Sequence, residues 1–125
     1  MVPFKKYFTP QEANKRLPLV KKIVGEILSK GQKLKALLDA NTKSDVPVQA
    51  NLLKEEIEAL IMELEELGCF YKDWNFEMGL VDFPALIEGE AVFLCWRSDE
   101  NTLGWYHPVQ EGYGGRRAIP AHLLN

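Results

Sequence analysis

A chain of 125 residues holds one domain with a real core and leaves little room for a second. Its 46% hydrophobic and 26% charged content is that of an ordinary globular protein, and no run approaches the ~20 apolar residues of a membrane span. The net charge of −3 gives no general attraction to a polyanion, so neither a nucleic acid nor a membrane partner is expected.

The opening "MVPFKKYFTPQEANKR" places charges where a secretory leader needs an apolar stretch, so a cytoplasmic location is expected. Cys69 and Cys95 should then be free, buried thiols. "FTPQE" reads as a helix start: Thr9 can accept an amide, Pro10 suits the first helical position, and Glu12 can reach back to close a capping box. Pro18 lacks an amide proton, which predicts a short helix to about Leu17 and then a kink or break into a long helix ending near Ala40.

In that long helix Leu17, Val20, Val24, Ile27, Leu34 and Leu38 follow steps of three and four, with Gly31 standing where an apolar residue is due. Either a neighbour packs closely on Gly31 or the helix bends there. "ANTKSDVPVQAN" reads as a loop. A second helix from about Val48 to Leu67 repeats the rhythm with Leu53, Ile57, Leu60, Leu64 and Leu67, and Gly68 is its left-handed stop. The two helices are expected to form an antiparallel hairpin about 30 Å long. A two-helix hairpin leaves apolar flank uncovered, so a homodimer through it is expected.

After Gly68 the pattern turns to strands. Strands are predicted around Gly79 to Phe83, Val92 to Arg97 and Thr102 to His107, with "SDEN" as a turn and Pro108 as a stop. The expected fold is α+β: one domain, with a helical hairpin over residues 9–68 packed on a small, about three-stranded antiparallel sheet in 69–125. If the turn spans "SDEN" and Thr102, Cys95 lies opposite Trp105 and Phe93 opposite His107. A slip of one residue sends His107 to the other face.

Together, "FTPQEAN", the leucine–glycine hairpin end, "KDW", "GLVDFPA", "LCWR", "WYH" and "GYGGR" resemble DUF2203, a domain-of-unknown-function family of uncharacterised prokaryotic proteins. The resemblance runs from Phe8 to about Ile119. It implies fold and motif positions but no activity. In the family a glycine–glutamate pair tends to follow the arginine of "LCWR"; here the turn reads "SDEN", which carries Glu100.

The chemistry-bearing residues gather in Phe93 to Arg117. Asp82 and Arg97 end neighbouring predicted strands and are expected to pair, Asp82 orienting Arg97; in the functional alternative Arg97 faces a cleft and grips a carboxylate or phosphate. "GYGGRR" is either a turn with solvated arginines or a nest of amides for an anion with Arg116 beside it. Trp105 and Tyr113 would supply walls, and His107 any pH dependence near neutrality. These six, Asp82, Arg97, Trp105, His107, Tyr113 and Arg116, are the expected binding residues for a small anionic ligand.

Cys95 reads as a core residue before it reads as a nucleophile. His107, Cys95, Asp82 and Glu100 or Glu111 lack the paired spacing of metal sites, and no cofactor fingerprint is present, so neither metal nor cofactor is expected. The favoured reading is a non-catalytic ligand-binding or interaction module. The alternative is a small enzyme with His107 as general acid or base and Arg97 stabilising negative charge.

Overall fold

The structure, a computed structural model, describes residues 4, 6–40 and 48–124. Two helices, α1 (Pro10–Ala40) and α2 (Val48–Leu67), form a hairpin. They are followed by five strands: β1 (Phe70–Tyr71), β2 (Leu80–Ile87), β3 (Glu90–Arg97), β4 (Trp105–Pro108) and β5 (Arg117–Ala118). Residues 41–47 of the expected inter-helix loop lie outside the described residues.

The helix ends form as their local chemistry dictates. Thr9 Oγ1 accepts from the Glu12 amide at 3.1 Å, and the Thr9 amide donates to Glu12 Oε1 at 3.0 Å, closing the capping box. Gly68 sits at φ +98°, where the Gly68 and Cys69 amides bond the Glu65 and Leu64 carbonyls. This is the double C-terminal bond of a Schellman motif.

The break expected at Pro18 does not occur: α1 runs through it as one helix. Pro18 lies on the exposed side between buried Leu17 and Val20, so the one lost hydrogen bond falls where water can serve the Asn14 carbonyl. The seam residues Leu17, Val20, Val24, Ile27 and Leu34 are buried, while Leu38 at its end is 38% exposed.

The sheet has five antiparallel strands in sequential order, not about three. β2 and β3 are longer than expected because Glu88 and Gly89, both at positive φ, make a tight hairpin turn whose twist lets pairing run from Leu80↔Arg97 to Ile87↔Glu90. Pro84 is tolerated inside β2 because β1 pairs only as far as Asp82. Its carbonyl instead accepts from the Phe8 amide at 2.7 Å. Amide and carbonyl of one residue point to the same side of a strand, so the missing N–H faces that edge and removes no β3 bond.

The β3–β4 register is Cys95↔Trp105 and Phe93↔His107, the alternative in which these residues share a face. β4 itself starts at Trp105 rather than Thr102, and it includes Pro108. Alternation divides the sheet into two faces. Val81, Phe83, Ala85, Val92, Leu94 and Trp96 are buried in the core shared with the helices. The opposite face carries Phe70, Asp82, Phe93, Cys95, Arg97 and His107. Phe4 covers part of it, with ring centroids 5.3 Å from Phe93 and 5.8 Å from Phe70.

Candidate functional site

On that outer face, three adjacent strands deliver three ligand-type side chains to one spot. Asp82 on β2 pairs with Cys95 on β3, and His107 on β4 stands one row along, opposite Phe93. Their carboxylate, sulfur and imidazole atoms all lie within 4.8 Å of one another, and all three residues are buried. They floor a hollow of about 270 Å³ walled by Phe93, Val109 and Tyr113, with exposed Lys72 and Glu111 at its rim.

His107 is held from both sides. Its Nδ1 is 2.9 Å from the Pro108 carbonyl, which can only accept, so Nδ1 carries a proton. Its Nε2 lies 3.1 and 3.2 Å from the two Asp82 oxygens, and the side chains are only 4% and 6% exposed. Two acceptors facing two ring nitrogens favour the doubly protonated imidazolium. Burial pulls the His107 pKa down, but the hydrogen bonds to Asp82 and Pro108 and the Asp82 charge outweigh it, leaving the pKa above the ordinary 6.5.

Cys95 is the opposite case. Burial, helped by the Asp82 charge, pushes its thiol up to about 12 despite the Arg116 guanidinium nearby. A neutral thiol at that value is no nucleophile. Both cysteines are free and buried.

The expected Asp82–Arg97 pair does not form. Leu80, not Asp82, is opposite Arg97. Arg97 turns to Asp99 at 2.5 Å and to the Tyr113 hydroxyl, next to its own strand end, where both side chains stay partly solvated. Asp82 is left to His107. Arg97 lines a neighbouring hollow of about 200 Å³ that shares Leu80 and Tyr113 with the first.

At "GYGGRR", left open above between a turn and an anion nest, both arginines meet carboxylates. Arg116 Nη2 donates to Glu100 at 2.6 Å and to the Cys95 carbonyl at 3.0 Å, and its guanidinium lies between the Trp105 and Tyr113 rings, 5.0 and 4.9 Å from their centroids. Arg117 reaches Glu111 at 3.3 Å. Trp105 and Tyr113 therefore flank Arg116, and Tyr113 also walls the hollow over His107. Glu100, whose role the "SDEN" turn left open, is structural: it takes Arg116 and the Arg97 amide, at 2.7 Å, while its carbonyl takes the buried Trp96 indole.

Of the six expected residues, Asp82, His107 and Tyr113 line the main hollow, Arg97 lines its neighbour, and Trp105 and Arg116 brace the wall behind Cys95. Lys72 and Val109 carry no sequence signal for the site, and Glu111, weighed above only as a possible metal ligand, joins them in lining the hollow. "KDW" and the stretch before "GYGG" contain them, but only the fold of the connections turns them toward one hollow.

No helix among the described residues is long and apolar enough to cross a membrane. No curated protein and no solved structure matches this chain. The family model for DUF2203, an uncharacterized conserved protein, matches residues 6–119, which takes in the hairpin, the five strands and every residue of the hollow. On that match, the chain belongs to the DUF2203 family.

Proposed function

We propose that this protein is a non-catalytic ligand-binding module whose site is the hollow over His107. The observation that carries the reading is a concave, aromatic-walled pocket with a buried Asp82–His107 pair at its floor. Apolar walls with a few converging polar groups are the usual build of small-molecule sites. A volume of about 270 Å³ falls just under the roughly 300–1,000 Å³ of pockets for drug-sized ligands, which points to a small ligand with a polar head.

An anionic ligand gripped by arginines is no longer favoured, because Arg97 and Arg116 are already matched by Asp99 and Glu100. General acid–base catalysis by His107 is the weaker reading. Both ring nitrogens are engaged, and Arg97, its expected helper, lines the neighbouring hollow.

Thermal melts of the full chain against a small-metabolite library, with a chelator present, test the reading. A true ligand raises the melting temperature of the wild type but not of Val109→Trp, which fills the hollow. A library in which no compound does so, or in which Val109→Trp responds equally, overturns it.

A further inference from the structure

The cluster at the floor of the hollow has more than a hydrogen-bonding character. We infer that Asp82, Cys95 and His107 form a three-ligand site for one divalent metal ion of the zinc class, with the fourth coordination position facing the hollow. The inference deepens the ligand-binding reading and rests on it for the open position, where a water or a ligand's donor atom would complete the shell.

The donor set fits. One nitrogen, one sulfur and one carboxylate suit a borderline ion such as zinc, which is held tetrahedrally by three protein groups wherever a position stays open. Zinc bond lengths of about 2.0–2.3 Å put neighbouring ligand atoms about 3.3–3.7 Å apart. The His107–Asp82 edge is already 3.1–3.2 Å, and no edge exceeds 4.8 Å, so the closure needed is small. All three ligands sit on paired strands, which hold them in place better than loops do.

A second observation concerns the outer sphere. Metal-binding histidines commonly donate the second ring N–H to a carbonyl or carboxylate, which aims the other nitrogen at the ion. Here the Pro108 carbonyl holds Nδ1 and aims Nε2 at the cluster. Arg116 holds the Cys95 carbonyl, and its Nε is buried with no partner, so a cation and an unused donor lie near the sulfur that would become a thiolate.

The charge balance is also favourable. An imidazolium, a carboxylate and a thiol sum to zero. A divalent ion with a neutral imidazole, a carboxylate and a thiolate also sums to zero, after the Nε2 and Sγ protons leave for solvent. Exchanging two protons for one metal ion therefore leaves this buried spot without added net charge.

The test is cobalt(II) titration of the chelator-stripped, untagged full chain. One equivalent is expected to bind, giving the visible bands of a four-coordinate ion and a thiolate-to-cobalt charge-transfer band, both removed by added zinc. The chain has two cysteines, so retention of that band in Cys69→Ala assigns the sulfur to Cys95 without needing the Cys95 variant to fold. His107→Gln should weaken binding by roughly 100-fold or more, since outer-sphere losses alone cost 10–100-fold. No stoichiometric binding, a spectrum without the thiolate band, or a band lost in Cys69→Ala overturns the inference. Ligand stabilisation seen in chelator beside a failed cobalt titration would leave the pocket standing and remove only the metal.

Discussion

The ring of Phe76 fills the notch that Gly31 leaves in α1. A Cβ built on Gly31 would lie 2.2 Å from Phe76 Cγ and 2.6 Å from its Cβ. Phe76 is itself held at φ +57°, a backbone region unusual for a bulky residue, and the Gln32 side chain bonds its carbonyl. Gly31→Ala should therefore destabilise the protein although alanine is the better helix former. The helix gain is about 1 kcal/mol, whereas overpacking against the fixed stem of a side chain costs about 1–3 kcal/mol. Urea melts should show a lower midpoint, and a raised midpoint would mean the 72–79 loop yields freely.

The His107–Asp82 pair predicts a pH dependence in the metal-free protein. A folded pKa above 6.5 means that the pair's contribution is fully present below about 6.5 and fades as pH rises through the folded value. The titratable groups that share the hollow with the imidazole are Lys72 after β1, Asp82 from β2, Cys95 from β3, and Glu111 and Tyr113 after β4. With its pKa at about 12, Cys95 stays neutral throughout this window. In chelator, the melting temperature of the wild type should fall relative to that of His107→Gln as pH rises above about 6.5. A rise over the same range would show that the imidazole is neutral when folded.

Glu100 and Arg116 form a largely buried ion pair, their side chains 15% and 10% exposed. Glu100→Ala strands the guanidinium between two rings and frees the Arg97 amide, at a cost on the order of 3 kcal/mol. Adding Arg116→Met should recover part of the loss, because the uncompensated charge is removed. Chemical denaturation of the four proteins in the cycle measures this, and strictly additive losses would show that the pair does not act as a unit.

Neither thiol should react while the protein is folded. Burial raises both Cys69 and Cys95 to about 12, so almost no thiolate exists near neutral pH. Alkylation at pH 8 in chelator should track unfolding, with both sites modified together across the denaturation transition. Rapid labelling of Cys95 in the native protein would show an open, activated sulfur.

Local signals were legible from residues close in sequence. Thr9, Pro10 and Glu12 announce the start of α1, and Gly68 the end of α2, because capping bonds span only three to five positions. The gap at Gly31 required a close neighbour or a bend, but Phe76, forty-odd positions away, could not be named. Pro18 and Pro84 were misleading or silent because each missing N–H falls where the surroundings do not need it: one on the exposed side of a helix, the other on the β2 edge past the end of β1, where only the Phe8 bridge bonds the Pro84 carbonyl. The two short strands β1 and β5, of two residues each, carry no period at all.

The sequence by itself determined the helical hairpin, its capped ends, the strand content of the second half and the segment where polar chemistry would lie, because periodicity and capping are properties of neighbours along the chain. Tertiary structure alone decided the longer-range partners: Arg116 with Glu100, and Asp82 with His107 beside Cys95. Those choices follow from strand register and from the length of the turn between β3 and β4, since one residue of slip would move His107 through the sheet. A three-strand convergence is closed by hydrogen-bond ladders between distant segments, and no spacing within one segment records it.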